Sequence, residues 1–283
     1  VSPIVTRKSP AKVNLVLKVL GKRADGFHEI AGLMQRISLC DEMSFSLGGD
    51  GISLRCSGAD LPENADNIAF RAAVLFREAT GVPRGVSIEI RKRIPLAAGL
   101  GGGSSNAATT LTTLNDMTGA GLNGEDLTGM GAALGSDVPF FIQGVSSCWA
   151  FGRGELLRPV ENLPTLWFVI CNPGVPLSTV EVYGAYRIGL TNERIQYTIP
   201  RLQTVRQITD GLENDLERVS ERICPAISDI KQRLMAEGAL GALMSGSGPT
   251  VFGIFESPID AEHAASRMRE KKGAPFTVSA RSM

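Results

Sequence analysis

The chain has 283 residues, 29 Lys plus Arg against 29 Asp plus Glu, a formal net charge of zero, 43% hydrophobic residues and 20% charged ones. That length suggests one large or two modest domains, and the hydrophobic content is enough for a real core. The neutral balance gives no support to nucleic acid or an anionic membrane surface as the main partner, and no apolar run approaches a membrane span.

In chain order, Val13, Leu15, Leu17 and Val19 alternate with Lys12, Asn14, Val16 and Lys18, the period of an amphipathic strand. Lys12 and Asn14 share its polar face. A turn over 21–26 leads to a strand-like run over 30–39. Residues 43–47 and 52–56 read as two short strands around the turn Gly48-Gly49-Asp50-Gly51. Residues 67–80 are helical, with Ile68, Ala72, Leu75 and Phe76 on one stripe and Gly81 as the stop. Residues 86–94 alternate as a strand that runs straight into a glycine loop. A helix follows from about 104 to 117, closed near Gly119, and a shorter one over 125–134 ends at Gly135. Two strands flank Gly152-Arg153-Gly154, and Glu161-Asn162-Leu163-Pro164 is the best candidate linker. Beyond it come a strand over 166–171, a helix over 227–236, a second glycine turn feeding a strand over 251–255, a helix over 259–271 and a strand over 276–280. Residues 184–210 are polar and yield no element. The mixture, antiparallel at its start, favours α+β over a doubly wound sheet.

The most informative stretch runs from Pro95 to Ala107: Pro-Leu-Ala-Ala-Gly-Leu-Gly-Gly-Gly-Ser-Ser-Asn-Ala. A glycine loop that opens a helix presents unpaired backbone N–H groups and the positive end of the helix dipole, a cradle for phosphate. Its spacing fits neither common nucleotide fingerprint. A Walker loop would place Lys after the last glycine, and a Rossmann loop would follow a first strand as Gly-x-Gly-x-x-Gly. This is a third style of phosphate loop, with the Ser104 and Ser105 hydroxyls as extra donors.

Other residues gain meaning from that loop. Lysine on a strand's polar face is usually solvated, but a phosphate site needs a cation, and Lys12 is available. Two readings stand for Asp137 in Gly135-Ser136-Asp137-Val138-Pro139: an N-cap for a helix beginning near Pro139, or a carboxylate that orients or deprotonates a hydroxyl nucleophile. Phe27 and His28 follow a turn, where an aromatic face could stack on a base and an imidazole could bond its edge. Gly246-Ser247-Gly248-Pro249-Thr250 is either a tight hairpin or a second ligand turn. The five cysteines, Cys40, Cys56, Cys148, Cys171 and Cys224, form no Cys-x-x-Cys pair and read as reduced, mostly buried thiols of a cytosolic protein. With only His28 and His263, a histidine-rich metal site is excluded. The first residues carry no signal-peptide pattern, so a cytoplasmic protein is expected.

Taken together, three blocks resemble the GHMP small-molecule kinase superfamily, which joins galactokinase, homoserine kinase and mevalonate kinase. The first is Pro10-Ala11-Lys12-Val13-Asn14-Leu15 with Arg23-Ala24-Asp25-Gly26-Phe27-His28; the second is the glycine loop with Gly135–Pro139; the third is Gly246–Thr250. The Arg-Ala-Asp-Gly-Phe-His segment points within it to the branch that acts on a cytidyl-diphosphate methylerythritol in non-mevalonate isoprenoid synthesis. The resemblance implies a two-domain α+β fold. An N-terminal ATP domain like ribosomal protein S5 would cover 1–160, and a ferredoxin-like C-terminal substrate domain 161–283.

The resemblance also implies roles. Asp137 would be the catalytic base and Lys12 its positively charged partner. Leu100, Gly101, Gly102, Gly103, Ser104, Ser105 and Asn106 would hold the ATP phosphates, within an ATP-binding stretch that also takes in Pro95, Leu96, Ala97, Ala98 and Gly99. Asn67 would contribute on the adenosine side. His28 would bond the cytosine edge while Phe27, where relatives usually carry tyrosine, stacks on its face with Tyr183 as the second aromatic. Asn14 would bind the erythritol hydroxyls, and Gly246, Ser247 and Gly248 would close around the same region. ATP with Mg²⁺ is the implied cofactor, with no dedicated metal carboxylate in the matched motifs. The implied partners are the small-molecule substrate and ATP, without nucleic acid or membrane, in a monomer or weak dimer. The rival readings are a GHMP kinase for another alcohol, which only Phe27, His28 and Tyr183 discriminate, and a non-catalytic GHMP-fold ligand sensor, which would need neither Lys12 nor Asp137.

Overall fold

The long strands β1 (Val5–Lys22) and β2 (His28–Leu47) organise the molecule. The computed structural model describes residues 3–82, 85–186, 197–200, 202–270 and 274–283. Its contacts divide into two compact units, both of which take residues from β1 and β2. The first holds Val1–Ala11, Leu39–Ile94 and Gly101–Val145; the second holds Lys12–Ser38, Pro95–Leu100 and Ser146–Met283.

In the first unit, β3 (Ile52–Ser57) and β4 (Val86–Arg91) join the end of β2 in the order β3-β4-β2. The two runs 43–47 and 52–56 around the glycine turn are both strands, as expected, but they do not pair with each other. β4 lies between them, antiparallel to β2 and parallel to β3. Gly85 makes the insertion possible. A Cβ there would stand 2.6 Å from the Gly51 carbonyl oxygen and 2.7 Å from those of Gly48 and Gly49, closer than any side chain can approach. The predicted runs 30–39 and 43–47 are likewise one continuous strand, β2.

Four helices complete this unit. α1 (Ile68–Thr80) starts at Asn67, whose side chain accepts the Ala69 N–H, and stops at Gly81 in the left-handed region. α2 (Gly102–Thr118) packs against it and ends at Gly119. α3 (Gly124–Leu134) begins with a capping box between Asn123 and Asp126, and α4 (Val138–Gln143) has proline in its first turn. Phe45, Phe76, Ile88, Ile90 and Phe140 are fully buried in this unit. Each such side chain contributes roughly 1.5–3 kcal/mol by leaving water.

In the second unit, β5 (Ser147–Gly152) pairs antiparallel with the first half of β2, and β6 (Leu156–Pro159) with β5, around the predicted Gly152-Arg153-Gly154 turn. A separate antiparallel sheet contains β7 (Trp167–Asn172), β9 (Gly241–Met244), β10 (Val251–Phe255) and β11 (Phe276–Arg281) in the order β11-β7-β10-β9. With α8 (Ala226–Ala236) and α9 (Pro258–Glu270) the chain order is βαββαβ, the ferredoxin-like arrangement. Val169, Ile230, Leu234, Val251, Phe255 and Met268 form its core. Between β7 and α8 lie elements that the sequence pattern does not reveal: α5 (Thr179–Ala185), α6 (Val205–Asp210), the two-residue strand β8 (Glu213–Asn214) and α7 (Glu217–Ile223). β8 pairs parallel with β1 at Val16 and Leu17. Part of the unplaced segment 184–210, residues 187–196 and 201, lies outside the described residues, as does the expected helix end at Lys271.

The thiols fit the reduced reading. Cys148, Cys171 and Cys224 are buried, and burial pushes Cys148 and Cys171 up to about 11, so neither carries thiolate at neutral pH.

Candidate active site

The glycine loop opens α2 without a cap. Gly101 precedes α2 in the left-handed region, φ 68°, and no side chain caps the helix. No acidic residue stands in its first turn either, so the dipole's positive end is not neutralised locally. The helix starts two residues earlier than its composition suggests, because Gly102 and Gly103 already take helical geometry. Ala97 adopts φ 46°, a conformation that costs a residue with a Cβ roughly 1–2 kcal/mol. Such strain commonly marks ligand-holding segments. Ser105 and Asn106 are buried, and their side chains bond inward to Ser9 and Asp41 rather than outward.

Asp137 belongs to the same unit as α2. It occupies the N-cap position of α4, but with helical φ and ψ and no side-chain capping bond, so its carboxylate is not used as a cap. Its turn packs beside the start of α2: a Cβ on Gly135 would stand 3.7 Å from Ile68 and 3.9 Å from Ser104 Oγ. Asn67, expected on the adenosine side, is buried as the cap of α1 and donates to the Pro62 carbonyl at 3.0 Å.

The second unit gathers the other predicted residues. β1 is buried from Ser9 to Leu17, on both faces, which corrects the expectation of a one-sided amphipathic strand. Lys12 is 4% exposed and Asn14 5%, and the Lys12 ammonium donates to Asn14 Oδ1. A lysine this deep is seldom mere surface decoration. The Lys12 N–H also holds the Leu100 carbonyl at 2.9 Å, which fixes the loop against β1. The Asn14 N–H donates to Ser245 Oγ at 3.2 Å.

The turn Gly246–Thr250 sits at this place. A Cβ on Gly246 would lie 3.1 Å from the Gly99 carbonyl oxygen and 3.5 Å from Asn14 Oδ1. Residues that no motif announces hold the turn. Asn214 donates to the carbonyls of Met244 and Gly246, both at 2.8 Å, Ser220 donates to the Ser247 carbonyl at 3.1 Å, and the Ser247 and Thr179 hydroxyls share a bond of 2.9 Å. The Gly248–Pro249 peptide is cis.

An aromatic group stands in the same unit. His28 and Tyr183 approach with ring centroids 5.1 Å apart and tilted by 34°. Phe27 is 53% exposed, an unusual state for a large apolar ring on a short turn. The turn is stiffened by Asp25, which accepts the Phe27 N–H at 3.1 Å, and by Arg23, whose guanidinium bonds both Asp25 and Glu29. Arg153 lies over the Phe27 ring, 5.0 Å from its centroid. Sequence reading found the turn that carries Arg153 but gave that residue no role. Desolvation, with the nearby Lys22 charge, holds the His28 imidazole below its ordinary value of 6.5. It is therefore neutral at pH 7 and can both donate and accept a hydrogen bond.

A glycine loop opening an uncapped helix in the first unit, and a buried lysine and a ferredoxin-like sheet in the second, agree with a small-molecule kinase. The family model for the GHMP kinases N terminal domain matches residues 67–145, and that for GHMP kinases C terminal matches residues 200–274; the chain belongs to the GHMP kinases. It is 51% identical, over 90% of its length and 91% of the relative's, to the 4-diphosphocytidyl-2-C-methyl-D-erythritol kinase of Syntrophus aciditrophicus (strain SB). It is 46% identical to the enzyme of that name from Geobacter metallireducens (strain ATCC 53774 / DSM 7210 / GS-15), over 99% of both chains. Among solved structures, a 4-(cytidine 5'-diphospho)-2C-methyl-D-erythritol kinase superposes with a TM-score of 0.82 at 36% identity, covering 98% of each chain. No helix among the described residues is long and apolar enough to cross a membrane.

Proposed function

We propose that the chain transfers the γ-phosphoryl group of ATP to the 2-hydroxyl of 4-diphosphocytidyl-2-C-methyl-D-erythritol, a step of non-mevalonate isoprenoid precursor synthesis. The observation that carries the substrate choice is the exposed Phe27 ring on the turn that leads to the His28–Tyr183 pair, in a chain whose relatives of similar length bear that enzyme's name. Phe27 and Tyr183 offer the base two aromatic faces, and His28 offers its edge a hydrogen-bonding partner. Asn14 and the turn Gly246, Ser247, Gly248 take the alcohol end.

In the reaction, the 2-hydroxyl oxygen forms a bond to the γ phosphorus, the bond to the β–γ bridging oxygen breaks, and ADP leaves. Asp137 accepts the hydroxyl proton late in transfer. Lys12 and the backbone N–H groups at the start of α2 stabilise charge on the moving group. The stretch Pro95–Ser104 holds ATP, with Ser105 and Asn106 bonded inward behind it and Asn67 acting through the start of α1. Mg²⁺ would enter as the ATP complex. When bound, it would supply positive charge to offset that of the phosphates. In this reading 1–160 carries the ATP residues together with Asn14, Phe27 and His28 of the acceptor site, and 161–283 supplies the rest of that site, in a cytoplasmic monomer or weak dimer.

An ATP-consumption assay tests the proposal by offering the cytidyl alcohol, homoserine, mevalonate and galactose side by side. Turnover on the cytidyl alcohol alone is expected. Turnover on another alcohol instead would discard the base-binding role of Phe27, His28 and Tyr183 while keeping a GHMP kinase. Bound ATP with no turnover on any of the four would leave a ligand sensor.

A further inference from the structure

Asp41 of β2 is 0% exposed, a depth at which a carboxylate persists only among donors. Oδ1 accepts the backbone N–H groups of Arg93 at 2.8 Å and Ile94 at 2.9 Å. Oδ2 accepts the Asn106 amide at 3.0 Å and the Lys92 ammonium. Lys92 donates onward to Asn106 Oδ1 at 3.1 Å. The Asn106 amide also donates to Ser9 Oγ at 2.9 Å, and that hydroxyl donates to Ser105 Oγ at 2.8 Å. Every member lies in the first unit.

The placement of these bonds along the chain is what gives them meaning. Arg93 and Ile94 are the last residues before the glycine loop, and Asn106 lies just inside the helix that leaves it. One carboxylate thus ties the incoming stem to the outgoing one. The Lys92 ammonium is close by, 3.3 Å from where a Cβ on Gly102 would stand. Stability alone is a poor reason for such a pair, because well-packed apolar side chains often serve a buried site as well or better than two desolvated charges. What the pair supplies, and apolar residues would not, is a directional hold on two backbone N–H groups and one amide.

We propose that Asp41 is the positioning residue of the phosphate loop, with Lys92 and Asn106 as its side-chain partners. It sets the direction of the first α2 N–H groups before ATP arrives, so that no reorganisation is needed when the phosphates bind. The inference rests on the reading of the loop as the ATP phosphate site.

The test is steady-state kinetics on the full chain, with ATP and the cytidyl alcohol varied separately. Asn106→Leu keeps the volume and leaves Asp41 with Lys92 and both backbone N–H groups, but removes the link to α2. Its KM for ATP is expected to rise on the order of tenfold, as misplacement of a binding group does, while KM for the alcohol stays within about twofold. Asp41→Asn is expected to lose more, since its amide would set a donor against the Lys92 ammonium. Should that variant not fold, Asn106→Leu carries the test. A folded Asn106→Leu with a lower Tm and an unchanged KM for ATP would make the network purely structural and overturn the proposal. Gly103→Val separates the two layers. Position 103 is exposed, and a Cβ there meets only Ile68, at 3.5 Å. If Gly103→Val leaves KM for ATP unchanged, the loop reading fails and the proposal with it. If Gly103→Val raises that KM and Asn106→Leu does not, the positioning role alone fails.

Discussion

Ser245 donates its hydroxyl to the carbonyl of Gly99 at 2.9 Å, across 146 positions of sequence, and the same oxygen accepts the Asn14 N–H at 3.2 Å. One buried hydroxyl thus joins the phosphate loop to β1 from the strand end that begins the second glycine turn. Gly99 has no freedom to change: at φ 72° a Cβ would stand 2.0 Å from the Ser245 carbonyl oxygen.

Two substitutions at this junction should differ in size. Ser245→Ala strands a carbonyl and an N–H in the interior and is expected to cost about 1–3 kcal/mol for each partner left unsatisfied. Gly99→Ala adds a left-handed Cβ, itself about 1–2 kcal/mol, to an overlap that only backbone movement relieves. Urea unfolding should rank Gly99→Ala as the more damaging, with loss of ATP turnover. An order with Ser245→Ala worse would mean that the loop yields easily and that its contact with the second turn is incidental.

Asp137→Asn keeps the size of the side chain but removes its ability to take a proton. The expected result is a fall in kcat on the order of 10²-fold or more, with KM for both substrates little changed. A variant with near-normal kcat would remove Asp137 as the base.

Much of this was legible before any coordinates. The start of α1 at Asn67, its stop at Gly81 and the glycine loop that opens α2 all follow from local chemistry: a capping side chain, a left-handed glycine, a run of residues without Cβ. What the pattern missed depends on partners far along the chain. β3 follows the preceding strand across a short turn, whereas its neighbour in the sheet, β4, begins beyond the whole of α1. The short helices α5, α6 and α7 have six or seven residues each, too few to display a helical period. Lys12 and Asn14 alternate as if solvated, yet both are buried. Asp41 and Lys92 lie in no motif, and only their convergence on Asn106 reveals them.

Phe27→Ala should separate the two substrates. Removal of a stacking ring costs about 1–3 kcal/mol per base, so KM for the cytidyl alcohol should rise roughly ten- to a hundredfold while KM for ATP holds. Arg153→Ala, which uncovers one face of the same ring, should have a smaller effect of the same kind. A matched rise in KM for ATP would show that the turn supports the whole enzyme rather than the base.

His28 gives a pH signature whose sign can be fixed. Its pKa is lowered in the folded protein, so between that value and 6.5 the unfolded chain binds the proton more readily. Stability contributed at this position therefore falls as pH drops below 6.5 and is level above it. Against His28→Asn, the wild type should lose urea resistance on acidification through that window, while KM for the cytidyl alcohol should climb only at its acid edge, where the folded imidazole itself takes the proton. A pH-independent difference between the two proteins would place the imidazole in a solvated setting.

Since β1 and β2 each supply residues to both units, neither unit is a contiguous length of chain. The second also waits on its latest residues: Arg281 donates its N–H to Ser38 Oγ, Met283 donates its own to the Arg36 carbonyl, and Ser282 bridges Ile37. During synthesis β1 can pair with β2, which follows it directly, but its other neighbour, β8, and the Ser245 hydroxyl that meets the Asn14 N–H lie far along the chain. Synthesis therefore leaves one edge of β1 open until β8 is made, and dependence on holding chaperones, rather than marginal stability of the finished enzyme, is where mutations in these late contacts should first be felt.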